Sequence, residues 1–233
     1  MVRVLCTALN GESGPHFGML QDAGHECCVV DRRLNLWDPA VLINAVKDFD
    51  AVIAGSEPWP ADVIAAVPRV RVLARAGVGF DAIHLPTCDE RRVVVATTPG
   101  CNHHSVAEHT IAMLMAVGRG FPALDQEVRR GEWNRNAQPR IWGRTLGLVG
   151  LGRIGQATAI RAIGLGMQVI AYDPFPPAAF AAQHGIPLVS LEQLITDSDF
   201  ISLHLPASAQ TRHMINDDSI ARMKQGVVII NTA

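Results

Sequence analysis

Charged residues are few in this chain and nearly balanced in sign, which excludes several classes of protein. They make up 18% of the 233 residues, and 20 basic against 22 acidic side chains give a formal net charge of −2. The sequence has no basic run or stripe of the kind that holds a nucleic-acid backbone, so we expect no nucleic-acid partner. Because 48% of the residues are apolar, the composition also excludes a disordered chain and predicts a folded globular protein.

Long apolar runs are missing as well. The longest uninterrupted run in the main helical segment covers seven residues, 111–117, whereas a membrane-spanning helix needs about 20. The first residues, MVRVLCTAL, do not follow the order of charged leader, apolar stretch and cleavage site that marks a secretory signal. We therefore expect no membrane association and a cytoplasmic location.

Cysteine is sparse and odd in number, with five residues in the chain, so a disulfide framework is not expected. Cys27 and Cys28 lie side by side in an apolar run, where cysteine is usually a small buried hydrophobic residue. Cys101 lies near His103 and His104, but no second pair of ligands at zinc-binding spacing completes a four-ligand set. The sequence therefore predicts no metal site.

Short apolar segments alternate with helix-like segments along the whole chain. Each strand candidate is apolar almost throughout, which is typical of strands covered on both faces in a parallel sheet. The spacers are long enough for crossover helices. The pattern predicts the α/β class, with doubly wound parallel sheets in two lobes. The predicted strands cover 2–9, 26–31, 50–55, 71–77, 92–100, 145–150, 167–173, 199–206 and 227–233, and 186–190 is expected to be a short strand or an extended segment.

One predicted helix differs from the others in its composition. The segment 106–119 is apolar around its whole circumference, which predicts burial on more than one side, at an interlobe or intersubunit position. Ser105 is the expected N-cap of this helix, with Glu108 as its capping-box partner. In the second lobe, Ser190 and Asn216 are the corresponding N-cap candidates.

The motif GLGRIG at 150–155 follows a predicted strand and opens a predicted helix. This is the context that a dinucleotide-binding turn requires. Gly150 permits the tight turn, Gly152 lets the backbone approach a pyrophosphate, and Gly155 lets the helix pack closely on the strand. The helix N-terminus then offers free N–H groups and a partial positive charge to the phosphates.

Asp173 ends the strand after the glycine motif. A carboxylate at this point accepts hydrogen bonds from the ribose hydroxyls of adenosine and repels a 2′-phosphate. No basic residue occurs in 173–182, so the sequence predicts NAD rather than NADP. The alternative is a glycine-rich packing turn with a surface aspartate.

Several further motifs occur in a fixed order along the chain: ARAGVGFDAI (74–83), TTPG (97–100), SVAEHTIAMLMAVGR (105–119), GEW (131–133), GRTLGLVGLGRIG (143–155), YDP (172–174), DFISLHLP (199–206) and INTA (230–233). With these motifs the chain resembles the D-isomer-specific 2-hydroxyacid dehydrogenases. This is the family of D-3-phosphoglycerate dehydrogenase and of glyoxylate and hydroxypyruvate reductases. The resemblance implies a flavodoxin-like substrate domain over 1–100, a Rossmann NAD-binding domain over 101–233, and a homodimer formed through the 106–119 region.

The resemblance also assigns roles to single residues. The main-chain amides of Val78 and Gly79 would hold the substrate carboxylate; a simple turn is the alternative. On the cofactor side, the alternative for Leu205 and Pro206 is packing at the end of a strand, and the alternative for Thr211 is a hydroxyl that caps a turn. The alternative for Arg153 is an exposed residue of a helix. The residues that the resemblance implies for NAD are Gly150, Gly152, Arg153, Ile154, Gly155, Asp173, Leu205, Pro206, Thr211, Thr232 and Ala233.

The chain departs from the family pattern at two places. Ala82 replaces the asparagine of the family's Asp-Asn pair, so an amide contact there is not expected. In addition, the family's arginine, glutamate and proton-transferring histidine would all follow Ala233, which predicts no catalytic residue within the chain and a fragment of a longer enzyme. We do not expect His103, His104 or His204 to replace that histidine.

Three functions stay open on the sequence alone. The first is an NAD-dependent oxidoreductase that interconverts a D-2-hydroxy acid and a 2-oxo acid, with activity belonging to a complete chain. The second is a dinucleotide-sensing protein of the corepressor kind, which binds without turnover. The third is an inactive fragment.

Overall fold

A computed structural model describes residues 1–10 and 14–233. The chain forms two compact units, Met1–Cys101 and Asn102–Ala233. Within the described part of the chain, no helix is both long enough and apolar enough to cross a bilayer. All five cysteines are free thiols, and no group of three or more candidate metal ligands occurs among the described residues.

The first unit is built around a five-stranded parallel sheet with the order β2-β1-β3-β4-β5. This is the order of a flavodoxin-like fold, and it places the topological switch point between β1 and β3. The strands are β1 (Arg3–Cys6), β2 (Glu26–Val29), β3 (Ala51–Ala54), β4 (Val72–Arg75) and β5 (Val94–Ala96). The helices are α1 (His16–Asp22), α2 (Pro39–Val46), α3 (Ala61–Ala66) and α4 (Leu85–Arg91).

Local sequence explains how helix α2 begins and which side it buries. The Asp38 carboxylate accepts the N–H of Ala40 at 2.8 Å, and Pro39 occupies the first helical turn, where its missing N–H is not needed. Leu42 and Val46, one turn apart, are fully buried in the core of the first unit. Burial of such a side chain stabilises the fold by roughly 1.5 to 3 kcal/mol.

The second unit contains a four-stranded parallel sheet with the order β7-β6-β8-β9. Its strands are β6 (Thr145–Val149), β7 (Gln168–Tyr172), β8 (Phe200–Leu203) and β9 (Val228–Asn231). Its helices are α5 (His103–Gly118), α6 (Phe121–Arg129), α7 (Arg153–Gly164), α8 (Ala178–Gln183), α9 (Leu191–Asp197) and α10 (Asp217–Ala221). The α/β prediction is confirmed, and a strand occurs inside each of the nine predicted segments.

The start of α5 differs from the prediction. The helix begins at His103, with Asn102 as N-cap and no capping side chain, rather than after Ser105. The predicted capping-box partner Glu108 instead pairs with Arg161 of α7 at 3.0 Å. The capping motif was therefore wrong here, because a tertiary ion pair uses the carboxylate. At α9 and α10, Ser190 and Asn216 do cap their helices.

Helix α5 is fully buried on one side only within this chain, whereas its composition predicts burial on more than one side. Its fully buried positions form a single stripe, while Val117 has 55% of its surface exposed. Apolar side chains on the flanks, Ile111 and Met115 among them, are partly buried against the same core.

Candidate functional site

The turn between β6 and α7 requires glycine at two positions for steric reasons. Gly150 has a φ of +102°, and a Cβ added there would lie 2.7 Å from the carbonyl oxygen of His204. A Cβ added at Gly155, in the first turn of α7, would overlap the carbonyl oxygen of Gly150. The helix therefore begins in direct contact with the end of the strand, a packing that only glycine permits.

Gly152 lies in a different environment. Its backbone is extended, with φ −70° and ψ −164°, and a Cβ added there would meet nothing within 4 Å. It is the N-cap of α7, and no side chain caps this helix. The first N–H groups of this 12-residue helix have no intrahelical acceptor, and the space beside Gly152 is open, which suits a pyrophosphate. Next to it, Arg153 is exposed and Ile154 is half-buried.

Asp173 lies against the same turn, directly after β7. Its Oδ2 accepts the N–H of Leu151 at 2.7 Å, and its Oδ1 accepts the N–H of Phe175 at 2.8 Å. An ionised carboxylate offers about four lone-pair positions, so two are left for ribose hydroxyls. The structure brings the predicted phosphate site and the predicted ribose site into direct contact.

His204 and Leu205 lie behind the turn, at the end of β8. The Leu205 side chain approaches within 3.1 Å of the position of a Cβ on Gly150. The Nε2 of His204 is 3.0 Å from the Ser202 hydroxyl, while its Nδ1 is buried without a partner among the described residues. Burial lowers the pKa of His204 to about 4. Its imidazole is therefore neutral at physiological pH and is a packing element of the turn.

The hydroxyl groups predicted near the cofactor are engaged within the protein. The Thr211 hydroxyl donates to the carbonyl of Pro206 at 2.8 Å and accepts the N–H of Ser208 at 2.9 Å, so it closes the turn after β8. The Thr232 hydroxyl is 2.9 Å from that of Thr110 on α5. The N–H of Ala233 donates to Asn231. Thr211 follows β8, and Thr232 and Ala233 follow β9, so all three come after the carboxyl ends of parallel strands.

In the first unit, Val78 and Gly79 lie in an exposed loop after β4. Val78 has 38% of its surface exposed. The loop is anchored at Gly77, whose carbonyl accepts the N–H of Thr98 at 2.9 Å. No acceptor for the N–H groups of Val78 and Gly79 occurs in the described part of the chain, so both are free to bind an anion. Ala82 is used structurally, since its carbonyl accepts the N–H of Trp59 at 2.7 Å.

These two sites can be compared with known proteins. Residues 111–233 match the family model described as the NAD binding domain of D-isomer specific 2-hydroxyacid dehydrogenase. The chain belongs to this family. Residues 111–233, which lie within the second unit, therefore correspond to the NAD-binding domain of this family, and the predicted cofactor NAD is confirmed at the level of the family.

Individual relatives agree with this assignment. The D-3-phosphoglycerate dehydrogenase of Mycobacterium tuberculosis is 43% identical over 195 residues, which cover 82% of this chain and 37% of that protein. The glyoxylate reductase of Korarchaeum cryptofilum is 38% identical over 213 residues, 86% of this chain and 64% of that protein. The D-lactate dehydrogenase of Aquifex aeolicus, solved with NAD and lactic acid, has a TM-score of 0.81 at 28% identity and covers 99% of this chain and 68% of its own. The chain thus spans little more than a third of the mycobacterial dehydrogenase.

One feature of this family member was missed by the sequence analysis. A cleft of about 450 Å³ opens at the carboxyl ends of β1, β3 and β4, next to the switch point of the first unit. Glu57 in its wall is only 5% exposed, and its carboxylate accepts the Thr7 hydroxyl and the N–H of Gly55. Arg75 lines the same cleft and donates to the carbonyl of Ala76 at 2.7 Å. The available signal was an acidic residue two positions after the predicted strand 50–55.

Proposed function

We propose that this chain is part of an NAD-dependent oxidoreductase that interconverts a D-2-hydroxy acid and a 2-oxo acid by hydride transfer. The observation that carries the proposal is the uncapped N-terminus of α7, open at Gly152, with the Asp173 carboxylate fixed beside it. The family relationship supplies the reaction type. NAD, when bound, accepts the hydride from the hydroxy acid or returns it to the oxo acid.

The second unit supplies the groups that would hold the dinucleotide. We assign the pyrophosphate to the N–H groups from Gly152 to Gly155, with Arg153 and Ile154 beside it. Asp173 would bind the adenosine ribose and disfavour a 2′-phosphate by charge repulsion. Leu205 and Pro206 would border the adenine. Thr211 would shape the adjoining turn, while Thr232 and Ala233 would lie near the nicotinamide.

The first unit is proposed as the substrate domain. We assign the substrate carboxylate to the N–H groups of Val78 and Gly79, which have no acceptor within the described part of the chain. We assign the rest of the substrate to the cleft at Glu57 and Arg75, because Arg75 and Ala76 lead directly into the loop that contains Val78. The buried carboxylate and the guanidinium then select which 2-hydroxy acid fits.

Proton transfer needs a group that exchanges protons near neutral pH within hydrogen-bond reach of the substrate oxygen. His204 does not meet this requirement, because burial holds its pKa at about 4 and its Nε2 faces Ser202. We therefore do not assign proton transfer to His204, and we propose turnover for the whole enzyme of which this chain is a part.

The proposal also covers the oligomeric state and the location of the protein. We place the exposed side of α5 in a homodimer interface, since Val117 on α5 and Phe121 on α6 are 55% and 52% exposed. We place the protein in the cytoplasm, because five free thiols suit a reducing compartment. The names of the relatives, which are dehydrogenases and reductases, favour an enzyme over a corepressor-like binding protein.

The proposal is tested by titrating the chain with NADH and following the binding by calorimetry. We expect saturable binding of one NADH per chain that ADP-ribose displaces. Binding of neither compound by the folded chain contradicts the assignment of the second unit. The complete protein, assayed with a panel of 2-oxo acids and NADH, then identifies the substrate class.

A further inference from the structure

We infer that Asp173 is a positioning residue for the phosphate-binding turn, in addition to its ribose contact. The ribose contact rests on the proposed function, whereas the second role rests on the hydrogen bonds of the protein itself. The inference concerns the N–H of Leu151, which donates to the Asp173 Oδ2 at 2.7 Å. Leu151 is the middle residue of the turn, directly before Gly152.

Three main-chain N–H groups at the turn are hydrogen-bonded to its neighbours, and only one of them donates to a side chain. The side-chain amide of Gln156 also donates to the carbonyl of Leu151 at 3.0 Å. The N–H of Gly150 donates to the carbonyl of Tyr172, and the N–H of His204 donates to that of Val149, each at 2.7 Å. These two bonds continue the pairing of the strands and survive any substitution of side chains. The bond from Leu151 ends on the carboxylate of Asp173 and is lost when that carboxylate is removed.

The lost bond is not easily replaced by water. Leu151 has an exposed fraction of 0%, and a buried N–H without an acceptor is unfavourable in free energy. A turn without this bond relieves the unpaired N–H by shifting, and the adjacent Gly152 shifts with it. The N–H groups at the start of α7 then no longer point toward one position, so a diphosphate binds more weakly.

This role makes a prediction that a ribose contact alone does not make. If Asp173 acts only through the ribose hydroxyls and its charge, variants that lack the charge bind a ligand without those hydroxyls with equal affinity. If Asp173 also holds the turn, a variant that keeps an acceptor for the N–H of Leu151 binds that ligand more tightly than one that does not. The pair ADP and 2′,3′-dideoxy-ADP separates the two cases, because both nucleotides carry the diphosphate and only ADP carries the hydroxyls.

The variants Asp173→Asn and Asp173→Ala control for charge, since both remove the negative charge near the diphosphate. The asparagine keeps an oxygen that can accept the N–H of Leu151, and the alanine does not. By calorimetry we expect 2′,3′-dideoxy-ADP to bind the Asn variant about fivefold more tightly than the Ala variant, the factor that one net hydrogen bond supplies. Equal affinities of the two variants for this nucleotide overturn the inference.

A second measurement needs no ligand. Amide hydrogen exchange of Leu151, followed by NMR, is expected to be roughly tenfold faster in Asp173→Ala than in the unsubstituted chain, with Asp173→Asn close to the latter. Glu192→Gln, which removes an exposed carboxylate of the same unit, serves as the control and leaves the exchange of Leu151 unchanged. Unchanged protection of Leu151 in the Ala variant also overturns the inference. If the unsubstituted chain binds no nucleotide, the proposed function fails, and the exchange rates still decide the role of Asp173.

Discussion

Asp50 and Asp199 occupy the same place in the two units of the chain. The Asp50 Oδ2 accepts the N–H of Arg3 at the start of β1, and the Asp199 Oδ2 accepts the N–H of Thr145 at the start of β6, each at 2.9 Å. The N–H of each aspartate donates in turn to the carbonyl of the same partner, again at 2.9 Å. In each unit, one aspartate therefore both accepts a hydrogen bond from the first residue of the first strand and donates one to it.

This shared arrangement predicts a loss of stability in acid. Hydrogen bonds from Arg3 and Arg69 lower the pKa of Asp50. Burial alone raises the pKa of Asp199, but the N–H of Thr145 and the nearby cationic side chains outweigh it, so this pKa is lowered as well. A carboxyl group whose pKa is lower in the folded state stabilises the fold above its unfolded pKa of about 3.9, and this contribution is lost as the pH falls through the folded value.

For Asp199→Ala we expect a decrease of roughly 1.5 to 3 kcal/mol in the free energy of unfolding at pH 7, the range for a hydrogen bond to a charged group. Urea unfolding at pH 7, 5 and 3 measures it. The difference between the variant and the unsubstituted chain should shrink below about pH 4. Asp197→Ala removes an exposed carboxylate two positions away and should unfold like the unsubstituted chain at every pH. A difference for Asp199→Ala that does not depend on pH would refute the ionic origin of this stabilisation.

Gly152→Val is expected to weaken NADH binding strongly while leaving the fold intact. The backbone angles at Gly152 suit any residue, and a Cβ there meets no atom within 4 Å, so the melting temperature should stay close to that of the unsubstituted chain. A branched side chain in this space blocks the pyrophosphate, and we expect affinity for NADH to fall by at least about tenfold. Fluorescence titration of the folded variant measures the loss. Gly164→Ala, at the far end of α7 and also in open space, is the matched control, and full NADH affinity in Gly152→Val would place the cofactor elsewhere.

The chain should prefer NADH to NADPH. A 2′-phosphate on the adenosine ribose would approach the Asp173 carboxylate, which two backbone N–H groups hold in place, and the two negative charges repel each other. We expect at least about a tenfold difference in dissociation constant at low ionic strength, decreasing as salt screens the repulsion. Parallel titrations with the two nucleotides measure the ratio. Tighter binding of NADPH would reverse the assignment of Asp173.

The proposed homodimer gives a prediction for the apolar surface near α5. Val117→Glu places a charge on a side chain that is 55% exposed in the single chain, where a dimer would bury it. Light scattering after size-exclusion chromatography is expected to show the dimer mass for the unsubstituted chain and the monomer mass for the variant. Val94→Glu on β5 of the first unit, at a side chain 61% exposed, controls for added charge and should stay dimeric. A monomeric unsubstituted chain contradicts the dimer.

The sequence predicts what depends on local pattern and misses what depends on distant contacts. The β6 segment could be recognised because its residues are apolar throughout, and the turn at Gly150 because its glycines have fixed spacing. The start of α5 was wrong because the helix begins at His103, so Ser105 lies within it, and Glu108 pairs with Arg161, 53 positions away. The cleft at Glu57 was missed for the same reason, since its hydroxyl partner Thr7 is 50 positions away.

Substitutions of the glycines in the β6–α7 turn are expected to have two different effects, one on folding and one on dinucleotide binding. Codon changes at Gly150 or Gly155 introduce a side chain where backbone already fills the space, so they should be eliminated by any screen for soluble, folded protein. Changes at Gly152 should pass that screen and fail a screen for dinucleotide capture. Sequencing a randomised library after each selection would thus separate the glycines that the fold requires from the glycine that only the ligand requires.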